Sequence, residues 1–502
     1  MGVEAQRQAE EGRAAAVGLL RGGRFGIGGA RRPVLPVSWM AFDAEIRRSH
    51  RLWFSGPRGA ERVEERLCHP DGRVREAALR APEPPLPLVA IRCTDWVPAV
   101  RERARQVLAD SLAADPARTL IDLTPLVLRL ARREQGGWAS DLFEEALAAE
   151  DPVLTPWWRP ARDARWWRPA REAVSMTGER PDTVLGWLRR SADLPTRRFA
   201  TRITLSRGLL GVRELARRAA REHDPATARL WADAALAAMA CDGPDDEAID
   251  ELLHGHLPMV RAGGVTALRR AGRFAEAPGH LTDRSGLVRA CARWLVRQDG
   301  GDPYEHYRAL VGDPARVTPY AVTGFAECAR RADAPLVRAL LDHPAGAVRA
   351  AAVAGLRALD STDVDLLRPL LDDPSAAVAR EVSLSLAGVA GRLPAEWLLE
   401  RIAPDRPAHT RRAAYRVLHA RGGVVGLRAS TELLTDADPT LRRISARRVQ
   451  SLWSPDRPPA LPVRDPEVGT LLDRCTGLFS EYVMGRMRSR LGIPRAPSDP
   501  AG

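Results

Sequence analysis

The sequence predicts an all-α protein, a right-handed α-solenoid of stacked antiparallel helix pairs. Three observations carry that prediction. Ala, Leu and Arg dominate the composition while aromatic residues make up only 5%, a mix that favours helix over strand. A repeat close to thirty residues long runs through more than half of the chain. Asp-Pro steps punctuate the repeat where turns are needed, at Asp224-Pro225, Asp313-Pro314, Asp373-Pro374 and Asp438-Pro439.

From the N-terminus, residues 1–39 are rich in Gly, Arg and Pro without a sustained period and are expected to be disordered. Met40 opens a more globular pattern, and translation starting at Met40 instead of Met1 is one expectation from this contrast. Residues 40–111 read as the first helical pairs. Val74-Arg75 has Ala78 four residues later and Leu67 seven earlier, and Val100-Arg101 is followed by Ala104 and Leu108. Across 112–180 the period is lost, as in degenerate repeats or a Trp/Arg-rich insertion.

The regular array spans 181–453. Its anchors are Thr196, Ala228, Val260, Val288, Val317, Val348, Val378, Thr410 and Leu441, with gaps of 32, 32, 28, 29, 31, 30, 32 and 31 residues. Arg follows the anchor in seven of nine units. Four residues after the anchor stand Ala200, Ala232, Gly264, Ala292, Ala321, Ala352, Val382, Ala414 and Ser445, small in all but one case. Eight residues after it, every position but Thr204 is apolar, from Leu236 to Val449. Positions 0, +4 and +8 share one face of a helix. The small middle residue lets a neighbouring helix approach, and the larger ones fill the space around it. Leu recurs seven residues before the anchor, as in Leu341 and Leu371, and belongs to a preceding helix across the turn. Asp caps helix N-termini well and Pro is tolerated at the first helical position. About eleven pairs are expected, with neighbouring helices ~8–10 Å apart. The recurrent Arg sits where the helix dipole disfavours a cation. It is therefore expected to form a structural ladder with turn acids, Asp342 serving Arg349 and Asp436 serving Arg442. In 454–502 a linker precedes one capping helix over about Glu467–Arg490, and the tail from Pro494 is expected to be disordered.

The segments "LLDHPAGAVRAAAVAGLRAL" (Leu340–Leu359), "LLDDPSAAVAREVSLSLAGV" (Leu370–Val389) and "HLTDRSGLVRACARWLV" (His280–Val296) resemble HEAT repeats, in particular the short bacterial type also found in phycobilisome lyases. The resemblance implies a helical scaffold or adaptor; it does not extend to a bilin site or a lyase activity.

Chemistry is sparsely signalled. The six cysteines are scattered with no CxxC pair, which points away from zinc sites and disulfide frameworks and towards reduced cytoplasmic thiols. The ten histidines form no HExxH pattern, and Gly-rich nucleotide loops and a Gly-x-Ser-x-Gly elbow are absent. No apolar run approaches the ~18–20 residues of a membrane helix. The expectation is a cytoplasmic protein, not an enzyme, with no cofactor and no membrane insertion.

The net charge of +12 is carried entirely by arginine, since the sequence has neither Lys nor Asn, a signature of GC-rich coding. A local excess is harder to assign to coding. Between Trp157 and Arg218 there are fifteen Arg against six acids. This stretch opens with "WWRPARDARWWRPAR", in which Trp157, Trp158 and Arg159 are echoed by Trp166, Trp167 and Arg168. Trp and Arg are preferred hot-spot residues and stack on one another, so these six are candidate partner contacts. The alternative is that the Trp residues bury an insertion. Arg269, Arg297 and Arg357, each nine residues after its anchor, point away from the buried face and are further candidates beside a simple solvated role. The leading expectation is a scaffold binding a protein partner, an acidic one on this charge. The alternative is a nucleic-acid-binding solenoid using 157–218, with a HEAT-like DNA glycosylase as a remote third.

Overall fold

The computed structural model describes residues 3–20, 33, 35–52, 62–154, 183–208, 210–452, 454 and 460–494. Among them the chain is all-helical, and the one pairing of extended backbone is an isolated antiparallel bridge between Val153 and Thr183. It divides into two compact units, Met1–Ala267 and Leu268–Gly502.

The first unit holds α1 (Val3–Leu20), α2 (Pro36–Leu52), α3 (Val63–Leu67), α4 (Gly72–Ala78), α5 (Leu86–Arg92), α6 (Pro98–Ala114), α7 (Pro116–Leu130), α8 (Gly137–Ala149), α9 (Val184–Leu188), α10 (Leu194–Ser206), α11 (Val212–Arg221), α12 (Pro225–Asp242), α13 (Asp246–Leu253) and α14 (Pro258–Leu268). The expected disorder of 1–39 does not hold over 3–20 and 35–39, where α1 buries Ala15, Ala16 and Leu19 and packs along α2; residues 1, 2, 21–32 and 34 lie outside the described residues. Apart from Leu19, the contact stripe of α1 is made of small residues, so no large-residue period betrays it. Gly12 looks like a breaker but is a contact, since a Cβ there would stand 2.0 Å from the Ser38 carbonyl oxygen.

Arg75 and Asp95, fully buried, join α4 to the turn after α5 through two bonds of 2.9 and 2.7 Å. Arg92 bridges Asp95 and Asp43, and Arg47 reaches both acids. Burial pushes the Asp43 carboxyl up and Arg47 opposes it.

The second unit holds α15 (Gly286–Gln298), α16 (Pro303–Val311), α17 (Pro319–Ala326), α18 (Ala334–Arg338), α19 (Gly346–Ala358), α20 (Val364–Leu367), α21 (Ala376–Ala387), α22 (Ala395–Leu399), α23 (Ala408–Arg421), α24 (Gly423–Glu432), α25 (Pro439–Gln450), α26 (Pro466–Asp473) and α27 (Glu481–Leu491). The single capping helix expected at the end is two helices, α26 and α27, broken at Cys475–Ser480. Both pack into a small core of Val468, Leu472, Met487 and Leu491.

The repeat register holds. All nine anchors and all nine +4 residues are buried, and eight of the nine +8 residues are; Leu236 is half-buried. The preceding Leu at −7 often lies in a closing 3₁₀ turn, as Leu281, Leu341 and Leu371 do. Such a turn tightens the helix end before the chain reverses. Asp224 and Asp438 are helix N-caps as expected, accepting from Thr227 and Thr440. Asp313 and Asp373 are not. Each lies in the turn before its helix, where it accepts the amide two residues on.

The arginine ladder exists but runs between different partners from those expected. Nη1 of Arg349 donates to the carbonyls of His343 and Pro344, at 2.9 and 3.0 Å. Its other nitrogens hold Asp373, one unit further on, at 2.9 and 2.7 Å. Asp342 is not its partner. Arg75 and Arg261 make the same pair of carbonyl contacts in their own turns. Arg442 likewise takes the carbonyls of Asp436 and Ala437, while the Asp436 carboxylate goes to Arg411 of the preceding unit. The physical reason lies in the turn. The same arginine that begins one helix stands at the carbonyl end of the helix before it, where orphan acceptors and the negative dipole end favour a cation.

Candidate partner-binding surface

Residues at +2, +6 and +9 oppose the buried 0/+4/+8 stripe, because each step turns the helix by about 100°. On α15, α21, α23 and α25 these positions are exposed or half-buried, on α19 Ala354 and Arg357 are half-buried while Ala350 is buried, and α19, α21 and α23 pack successively on one another. The character of this row changes along the second unit. At +6 stand exposed Trp294, Ala354, exposed Leu384, half-buried Arg416 and exposed Arg447. At +2 the last three units carry exposed Arg380, Arg412 and Arg443. Helices α23 and α25 together hold eight arginines and no acid.

Arg380 on α21 and Arg448 on α25 both lie within electrostatic range of Arg416 on α23. Nη1 of Arg416 on α23 donates to the Ser383 hydroxyl on α21. Ser383 lies one turn after Arg380 and donates to its carbonyl at 2.7 Å. From α25, Arg448 lays its guanidinium 4.7 Å from the centre of the Tyr415 ring. Its Nη1 is buried without a hydrogen-bond acceptor. Burial, then the charges of Arg380 and Arg448, hold the Arg416 guanidinium below its ordinary range. Burial and Arg448 together hold His419 below its ordinary value. The acid that meets this cluster is Glu381, and its carboxylate is already shared by Arg357, at 2.6 Å, and Arg380.

Beyond the cluster, α25 borders a shallow cavity of about 510 Å³. Leu434, Ala446 and Leu478 contribute apolar surface, and Arg442, Arg443 and Arg474 stand around them. A second hollow, in the first unit, is different in kind. Arg213 and Arg217 there are outnumbered by Glu247, Asp250 and Glu251, and Arg213 also holds Asp245, so it presents no cationic surface to a partner.

Of the candidates named from sequence, Trp157, Trp158, Arg159, Trp166, Trp167 and Arg168 lie outside the described residues. Arg269 is exposed and sits 5.4 Å over the ring of Trp294. Arg297 is exposed in the last turn of α15. Arg357 is not a free outward cation. It donates to the Glu381 carboxylate at 2.6 Å, and to the Glu381 carbonyl and the Ser385 hydroxyl at 3.0 Å. The register points Arg357 outward, but α21 packs close enough to take it up. Sequence reasoning passed over Arg380, Arg416 and Arg448. The signal was present, since Arg recurs at +2 in the last three units and the anchor helices of the last two units lack acids.

Among the described residues, no group of three or more His, Cys, Asp or Glu is arranged to hold a metal ion, and no helix is long and apolar enough to cross a membrane. No protein-family profile matches the chain, and no curated protein matches it. Among solved structures it is similar to an engineered protein studied by crystallography, with 16% identity over 77% of this chain and 97% of that one. The TM-score is 0.20, so that likeness carries no argument about fold or function.

Proposed function

We propose that this chain is a non-enzymatic, cytoplasmic scaffold of HEAT-like repeats, a right-handed solenoid, whose outward row in the second unit binds an acidic segment of another protein. One observation supports the reading above the others. Helices α23 and α25 carry eight arginines without an acid, of which the turn acids Asp436 and Asp438 hold only Arg411 and Arg412, and the row they continue includes exposed Trp294 and Leu384. A row that passes from apolar to cationic suits an extended segment with an apolar end and an acidic end. Trp and Arg are the side chains that most often carry binding energy at protein interfaces. Nucleic acid is the competing partner, because phosphates also seek arginine. The apolar half of the row favours protein.

The test is fluorescence anisotropy with a labelled synthetic peptide, apolar in one half and glutamate-rich in the other. A labelled single-stranded oligonucleotide is run beside it across a salt series. The peptide is expected to bind, and Arg412→Glu with Arg443→Glu is expected to abolish binding. Failure of the peptide to bind at low salt would overturn the reading. Tight oligonucleotide binding with a steep salt dependence would replace it with the nucleic-acid one.

A further inference from the structure

We infer that the cavity bordered by Arg442, Arg443 and Arg474 receives an aspartate or glutamate side chain of the bound segment, and that Arg442 holds it as the ladder arginines hold their turn acids. The inference rests on the protein-segment reading above and says where the acidic end of that segment sits.

The ladder supplies the pattern. Arg75 and Arg349 each give Nη1 to two carbonyls of their own turn, and Nε and Nη2 to the two oxygens of one aspartate further along the array. Arg289 divides its nitrogens in the same way, between the Asp283 carbonyl and the Glu327 carboxylate. Arg442 starts alike, with Nη1 donating to the carbonyls of Asp436 and Ala437. Its Nε and Nη2 have no acceptor among the described residues. The next turn shows why. Leu471-Leu472-Asp473-Arg474 repeats Leu370-Leu371-Asp372-Asp373, with arginine where the ladder aspartate stands. Asp473 is held by Arg488, as Asp372 is held by Arg401. The turn acids Asp436 and Asp438 are taken by Arg411 and Arg412. Where the inner rungs set an acid against the arginine, the last one sets a second cation on the same cavity.

The cavity is open and its cations are accessible. Arg442, Arg443 and Arg474 are all exposed, and Leu434, Ala446 and Leu478 give an apolar lining to a space of about 510 Å³. A planar carboxylate pairs with one side of a guanidinium through two parallel hydrogen bonds, which is the geometry Asp95 and Asp373 already use. The apolar lining suits the methylene stem of that carboxylate and an apolar residue beside it. A nucleic-acid phosphate brings no such stem.

The experiment uses the full chain and the labelled apolar–acidic peptide, carrying a benzophenone photo-crosslinker beside its last glutamate. Crosslinks mapped by mass spectrometry are expected at Ala446 or Leu478. Arg474→Asp puts an acid back at the ladder position and should have two effects: the peptide binds about ten-fold more weakly, and the urea midpoint of the protein rises. Arg443→Gln should weaken the peptide without raising the midpoint. Arg229→Gln, exposed in the first unit, should leave the affinity unchanged. A peptide that binds Arg474→Asp as tightly as the parent, or that crosslinks to α21 instead, would overturn the cavity site and leave the protein-segment reading standing. A midpoint that stays level or falls in Arg474→Asp would remove position 474 from the ladder and overturn the site as well. No peptide binding at low salt, or displacement of the peptide by an oligonucleotide at lower concentration, would overturn both readings.

Discussion

Gly324 on α17 faces the ring of Tyr307 on α16, and replacing it with alanine tests how tightly these two helices meet. A Cβ at position 324 would fall 2.3 Å from Cε1, 2.4 Å from Cζ and 2.5 Å from the hydroxyl oxygen of Tyr307. Ordinary contact needs about 3.5 Å, so the ring must retreat by about 1 Å. Tyr307 has little room for this, being fully buried, and its hydroxyl donates to the Leu281 carbonyl at 2.7 Å. A retreat of that size takes the bond beyond the ~3.2 Å limit of good geometry. The overpacking costs about 1–3 kcal/mol, and an unpaired buried carbonyl a further 1–3 kcal/mol or so. Alanine regains about 1 kcal/mol of helix propensity, leaving a net loss of about 1–5 kcal/mol. Gly388, which has open space where a Cβ would go and a φ of −68°, is the matched control. There the same change should stabilise by about 0.4–1 kcal/mol. The assay is urea denaturation followed by far-UV circular dichroism. A Gly324→Ala protein as stable as its parent would refute the close meeting of α16 and α17.

Three further outcomes follow from the same structure. Leu356→Ala, at a fully packed +8 site 1% exposed, should cost about 2–5 kcal/mol; a near-neutral result in denaturant would show that the repeat register is wrong. Arg198 first, with the Thr227 hydroxyl and amide, holds the Asp224 carboxyl below the ordinary carboxylate range, against the opposing effect of burial. That depressed value gives stability that is present above about pH 4. It is lost as pH falls through the folded-state value. Asp224→Asn keeps the N-cap, so its denaturation midpoint should fall less than the parent's on acidification; identical slopes would count against the pair. Burial pushes the Cys93 thiol up to about 12 and the Cys68 thiol upward as well, while Cys241 is exposed. Alkylation of the native protein mapped by mass spectrometry should therefore mark Cys241 well before Cys68 and Cys93, and labelling all three at one rate would contradict the burial.

Much of the fold can be read before any coordinates, because the signal lies within single helices. The alternation that puts Val348, Ala352 and Leu356 on one face follows from helix geometry alone, and all three are buried. Asp224-Pro225 and Asp438-Pro439 mark real helix starts for the same local reason. Where a property depends on two elements, that reading falters. α1 was missed because most of its contact stripe, Gly12, Ala15 and Ala16, is small, and its meaning appears only against Ser38 and the helix that bears it. Asp342 was assigned to Arg349 by proximity along the chain, yet Asp373 holds it from the next turn.

The binding surface divides along the same line. Helical periodicity alone says which side of α23 and α25 faces outward, since 3.6 residues per turn holds whatever surrounds the helix. Whether an outward arginine is available depends on its neighbours across the helix–helix seam. Arg357 and Arg416 occupy outward positions on helices of the same kind. The first meets a glutamate on α21 and is neutralised, and the second meets a serine and keeps its charge. Long-range packing makes that distinction, because Arg357 and Glu381, 24 residues apart in the chain, pair only when α19 and α21 bring them together.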